Sequence, residues 1–165
     1  MGNMFDNCEE LDEIIGYENW DTSSVTTMRS MFYSCSSYSA TLTFKPNLSN
    51  WDTSNVTSMY NMFYISRFTD IDMSGCDVRN VTGTGWGEGF DIFDYSYLVN
   101  FKAPQNISVS IRFMSTKLTH DSLMSIINNL ATVSTTQKLT IGSTNLAKLT
   151  DDEKAIATNK GWTLK

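Results

Sequence analysis

Fourteen residues of this chain are written twice. Trp20-Asp21-Thr22-Ser23-Ser24-Val25-Thr26-Thr27-Met28-Arg29-Ser30-Met31-Phe32-Tyr33 returns 31 positions later as Trp51-Asp52-Thr53-Ser54-Asn55-Val56-Thr57-Ser58-Met59-Tyr60-Asn61-Met62-Phe63-Tyr64. A fold that holds both must accommodate one unit repeatedly, and units of this length bury their apolar faces by stacking on neighbours. The tail of the unit also stands alone near the start, Met4-Phe5-Asp6-Asn7-Cys8 against Met31-Phe32-Tyr33-Ser34-Cys35, as in an array cut inside a repeat. A third, decayed copy begins at Cys76-Asp77-Val78-Arg79-Asn80-Val81-Thr82 and runs into Gly83-Thr84-Gly85-Trp86-Gly87-Glu88-Gly89-Phe90, whose four glycines signal a loop.

Successive Met-Phe pairs lie 27 and 31 residues apart, the length of one coil of a solenoid. Between them fall short β-prone pieces, Leu11 to Ile15, Thr41 to Phe44 and Phe68 to Met73, read as strands that stack in parallel. In Val25/Met28/Met31/Phe32 and Val56/Met59/Met62/Phe63 the spacing i, i+3, i+6, i+7 predicts a short helical or 3₁₀ segment with one buried face.

Beyond the repeats, Leu98 to Pro104 and Ile107 to Met114 read as two strands around a turn at Pro104-Gln105-Asn106. Leu118, Leu123, Ile126, Ile127, Leu130 and Val133 then share one helix face behind a Thr119 N-cap. A strand over Lys138 to Ile141 follows. Thr150-Asp151-Asp152-Glu153 has the capping box and acidic first turn of a second helix, which stops at Gly161 before a last strand at Trp162-Thr163-Leu164. The expected organisation is one solenoid domain over 1–165: repeats in 1–90, irregular strands in 91–117 and a strand-helix cap in 118–165.

The repeat strings Met-Phe-x-x-Cys and Trp-Asp-Thr-Ser-Asn-Val-Thr-x-Met resemble the leucine-rich-repeat variant of BspA-like bacterial surface proteins, also found in mycoplasma and lactic-acid-bacterial lipoproteins. The likeness covers roughly residues 4 to 90. It implies an α/β repeat fold, a right-handed leucine-rich-repeat-like solenoid of short parallel strands and short helical segments, capped here by longer C-terminal helices. It also implies a non-enzymatic role in adhesion or in binding a host or bacterial surface protein or glycan, outside the cell or on its surface. The C-terminal ending resembles segments that close such arrays in gut Firmicutes and their phage proteins, so a phage particle is an alternative setting. A structural stalk or cap, with only neighbouring repeats as partners, is the competing expectation.

Composition narrows the partners. A net charge of −6, with 12 Lys plus Arg and no basic run, argues against nucleic acid or an anionic membrane surface. No apolar stretch approaches the ~18 to 20 residues that cross a bilayer, so no membrane insertion by this chain is expected. Polarity comes from 20 Ser, 20 Thr and 14 Asn more than from charge.

No catalytic constellation, cofactor or metal site is expected. Cys8 and Cys35 share a repeat position and Cys76 does not, which suits buried free thiols. Asp21, Asp52 and Asp77 are equivalent and suit turn caps, accepting from N–H groups two residues on, with a Ca²⁺ ladder as the alternative. His120 beside Asp121 suits a cap or surface role, because adjacent helix residues do not face one another. Carboxylates at Glu88, Asp91 and Asp94 leave a glycoside hydrolase as an outside alternative. Four Asn-x-Ser/Thr matches, at Asn47, Asn55, Asn80 and Asn106, arise freely in so Asn-rich a chain. The Trp20 and Trp51 pair suits packing between repeats. The binding surface is expected at aromatics less bound to the repeat: Tyr60, Trp86, Tyr95 and Tyr97.

Overall fold

The computed structural model describes residues 1–35, 44–82, 92–114 and 116–165. The two long repeats do stack, but by a backbone device that the apolar spacing does not reveal. Around each Met-Phe pair two residues take left-handed conformations: Asn3 and Asn7, Ser30 and Ser34, then Asn61 and Ile65, with φ between 52° and 57°. That geometry breaks a helix and makes a run of tight turns. Alternate N–H groups close the turns locally, Met31 to the Met28 carbonyl (3.2 Å) and Tyr33 to that of Ser30 (3.3 Å). The others reach across to the next copy: Met28 N–H to Ser58 O, Ser30 to Tyr60, Phe32 to Met62 and Ser34 to Tyr64, all 2.8–2.9 Å. Asn3, Phe5 and Asn7 donate in the same way to Arg29, Met31 and Tyr33. The expected helical segments over Val25–Phe32 and Val56–Phe63 are therefore stacked turns. Their buried face is as anticipated at Met28, Met31, Phe32, Val56, Met59, Met62 and Phe63, which are fully buried, but Val25 is only half-buried.

Regular strands are sparse. β1 (Asp70–Asp72) pairs in parallel with β2 (Asn100–Lys102), and β3 (Ile111–Arg112), β4 (Gln137–Thr140) and β5 (Trp162–Leu164) form a second parallel sheet in that order. Leu11–Ile15 carries no strand and leads into a 3₁₀ turn at Tyr17–Asn19. Thr41–Thr43 lie outside the described residues and Phe44 is not in a strand. With two small sheets, three helices and no closure of successive coils among the described residues, the fold is mixed α/β. It corrects the expected leucine-rich-repeat solenoid. The physical reason is that stacked turns, supplemented by isolated parallel bridges such as Thr27 to Ser58 and Asn47 to Asp72, satisfy the backbone where a strand in every repeat would have done so.

The C-terminal elements follow their end signals. α1 (His120–Asn129) starts at Thr119, whose side chain accepts from the Ser122 N–H, and buries Leu123, Ile126 and Ile127. Leu118, Leu130 and Val133, expected on the same helix face, lie outside it, Leu118 ahead of the cap and the other two where the chain turns extended at Leu130. α3 (Asp151–Asn159) carries the full capping box between Thr150 and Glu153. It ends at Gly161, whose φ of 89° and close approach to the Val133 carbonyl exclude a side chain. A short helix, α2 (Gly142–Leu146), was not signalled by the sequence. One apolar cluster runs from Tyr17 through both repeats to Trp162.

Candidate functional site

The repeat period turns equivalent side chains into columns. Inside, Phe5, Phe32, Phe63, Phe93 and Phe113 form one stacked file, with centroids 5.4, 5.3, 5.6 and 5.0 Å apart and planes within 13°. Phe93 and Phe113 continue the Met-Phe column after its methionine has become Ile92 and Arg112. Trp20 stacks on Trp51 at 6.0 Å, and the Trp51 indole N–H donates to the Tyr17 carbonyl, consistent with packing between copies.

Outside runs a second aromatic column. Tyr33 stacks on Tyr64 at 5.4 Å and 9°, and Tyr95 meets Tyr64 edge-on at 5.7 Å. Burial, then Tyr33, Tyr95, Asp94 and Tyr60 around it, push the Tyr64 hydroxyl above its ordinary pKa. Tyr95 and Tyr97 are each 59% exposed on either side of buried Ser96. Ile65 and Met114, both exposed, flank this column and are joined to it through the bonds Ile65 N–H to Asp94 O and Tyr95 N–H to Met114 O. Two guanidiniums lie over other tyrosines of these turns, Arg29 over Tyr60 at 5.3 Å and Arg67 over Tyr97 at 5.1 Å.

Of the residues expected to bind, Tyr95 closes this column, Tyr60 lies near Tyr64 under Arg29, Tyr97 is exposed under Arg67, and Trp86 lies outside the described residues. Tyr33 and Tyr64, the centre of the column, were not singled out. Their signal was available in the 31-residue repeat, which places equivalent tyrosines in neighbouring copies.

Asp94 is a supporting group here, not an exposed acid. It is buried against the Arg112 guanidinium and accepts from the Met114 N–H, which pins the turn carrying Tyr95. Glu88 and Asp91 lie outside the described residues.

The remaining motif residues serve the backbone. Asp21 and Asp52 accept from the N–H and hydroxyl of Ser23 and Ser54, and those serine hydroxyls lead the bonds that hold both carboxyls below the usual range. Asp77 accepts from the Arg79 N–H and side chain. Asn55 and Asn80 donate to the carbonyls of Ser23 and Ser54 in the preceding copy. The three cysteines are free; Cys35 and Cys76 are buried, and Cys8 is half-buried. His120 Nε2 lies 2.9 Å from Glu153 Oε1 and ties the starts of α1 and α3 together. Among the described residues no group of His, Cys, Asp or Glu is placed to hold a metal ion, and no helix is long and apolar enough to cross a membrane.

A separate groove of about 500 Å³ lies between the β1–β2 sheet and the start of α1. Asp70 and Asp72 face it from β1, in register with Asn100 and Lys102 of β2. In the sequence, 68–73 carries only a strand signal, because the groove's other residues are distant along the chain.

The family model described as Mycoplasma protein of unknown function, DUF285, matches residues 1–86, more than half of the chain, and the chain belongs to that family. No curated protein and no solved structure matches it.

Proposed function

We propose that this chain is a non-catalytic recognition module, displayed on a bacterial cell surface, that binds a protein partner through the tyrosine column. The observation that carries the reading is the continuity of that face. Tyr33, Tyr64 and Tyr95 run in ring contact across successive turns, with exposed Ile65 and Met114 bonded to the same turns and Tyr97, under Arg67, two residues on. Tyrosine and arginine are the side chains that concentrate binding energy at protein interfaces, and the hydrogen-bonded turns beneath fix the backbone that carries them, so little chain ordering is needed on docking. The likeness of the repeat strings to BspA-like surface proteins supports the surface setting.

The test is a screen of the purified chain on host-protein and glycan arrays beside a Tyr95→Ala/Tyr97→Ala variant. Specific capture of a protein, lost in the variant, is the expected result. Silence from a folded sample overturns the proposal in favour of a structural role among neighbouring repeats. Glycan capture that the variant loses leaves the face in place but changes its ligand class.

A further inference from the structure

We infer that the groove between β1–β2 and α1 is a second binding site, distinct from the tyrosine face, and that it takes a neutral polyhydroxylated ligand, an oligosaccharide. Its floor is built of donor–acceptor pairs side by side. Asn100 Nδ2 donates to Asp70 Oδ1 at 3.0 Å, Lys45 Nζ lies 3.3 Å from the same oxygen, and Lys102 Nζ lies 2.7 Å from Asp72 Oδ2. The two carboxylates stand two residues apart on one strand face, roughly 7 Å along it. Thr69 Oγ1 also donates to Asp70 Oδ2, and the Ser74 N–H and hydroxyl both donate to Asp72 Oδ1, which leaves each carboxylate about one further acceptor position. Each ammonium, on a side chain 65–70% exposed, keeps donors free for solvent. A carboxylate beside an ammonium or amide is what a sugar hydroxyl needs, since it donates to one and accepts from the other.

Three features narrow the class. First, three carboxylates (Asp70, Asp72 and Asp121) face two ammoniums (Lys45 and Lys102), so the walls attract neither a polyanion nor a simple cation strongly. Second, an extended peptide cannot add as a strand beside β2. The N–H groups of Phe101 and Ala103 are already taken by the Ser122 and Ser125 hydroxyls of α1, at 2.8 and 2.9 Å. Third, the groove continues past Lys102 and Ser125 into a depression of about 370 Å³ lined by Ser74, Gln105, Asn106, Asn128 and Asn129. A run of amides and hydroxyls reads an elongated polyol by further paired hydrogen bonds. Phe101 is buried and offers no ring face, so the site has no aromatic platform and orients its ligand by the polar groups of its floor.

The test uses the whole chain, ¹⁵N-labelled, with N-acetylchitohexaose, cellohexaose and maltohexaose as neutral probes and a heparin hexasaccharide as the anionic one, after a broad glycan array. The expected result is array binding to neutral glycans, with shifts confined to residues 70–74, 100–106 and 119–129. Lys102→Gln, at a side chain 70% exposed and with folding checked by the unperturbed amide shifts away from the groove, weakens binding about tenfold, the scale of one charge-assisted hydrogen bond. Tyr95→Ala/Tyr97→Ala leaves it unchanged. Preference for heparin, shifts on the tyrosine face instead, or no neutral glycan bound on the array or by titration overturns the inference.

Discussion

At the scale of single residues the repeats are held by close approach and by charge. A side chain on Gly75 would place its Cβ 1.7 Å from the Ser49 carbonyl oxygen and 2.6 Å from the carbon, both backbone atoms of the preceding copy. Neither atom can rotate away, so Gly75→Ala is expected to cost about 2–4 kcal/mol, the range of severe overpacking, read as a lowered urea midpoint. Charge sets the acid limit. Burial works to raise the Asp72 carboxyl, but Lys102 and Ser74 overcome it and hold it low; Asp70 is held low in the same way by Thr69, Asn100 and Lys45. A depressed folded pKa adds stability that is full above the unfolded value of about 3.9 and is lost as pH falls through the folded one. Thermal melts should therefore hold level to about pH 5 and drop below about pH 4. Asp72→Asn should lower the melting temperature at neutral pH and flatten the acid limb; an unchanged limb would remove this pair from the account. The thiols give a third reading. Burial, with Cys8 nearby, pushes Cys35 up to about 12, and burial does the same to Cys76. Iodoacetamide at neutral pH should modify half-buried Cys8 first and reach the other two only in denaturant, as mass spectrometry of the digest would show.

At the scale of elements, the phenylalanine file has a middle and an end. Phe63 lies between Phe32 and Phe93 and is fully buried, whereas Phe5 is only half-buried at the first turn. Phe63→Ala is expected to cost about 3–5 kcal/mol and Phe5→Ala clearly less, measured by urea unfolding; equal losses would mean that the file does not act as a packed column. The same column marks where sequence reading stops. α1 and α3 were legible because Thr119, the Thr150/Glu153 box and Gly161 are local signals that act within four residues. The turns around Met31 and Met62 were not, because the spacing of Val25, Met28, Met31 and Phe32 suits a helix face and a stacked turn equally. What separates the two is a left-handed Ser30 and Ser34, and serine carries no such signal. Phe93 and Phe113 were missed for a related reason: the repeat was followed by its Met-Phe string, while the structure preserves only the ring.

Across the whole molecule, the tyrosine face was partly legible because exposed aromatics outside the repeat consensus are conspicuous, whereas the groove joins residues 45, 70, 72, 100, 102 and 121, whose separations only the fold closes. The backbone pairing that performs this closure has a direction. N–H groups of each Met-Phe turn donate to carbonyls of the next, from Asn3, Phe5 and Asn7 onward through Met28, Ser30, Phe32 and Ser34 to Phe63, Ile65 and Tyr95. Among the described residues, the first turn has a neighbour on one side, and the second has one on each. Local geometry is the same in both, so any difference in opening reflects the stacking alone. Native-state hydrogen exchange should then show Asn3, Phe5 and Asn7 exchanging well before Met28, Ser30, Phe32 and Ser34, with the latter protected as strongly as the amides of β4. Protection that is uniform along the chain would instead mean that the turns and the C-terminal sheet open only together, and that the stack has no separately melting end.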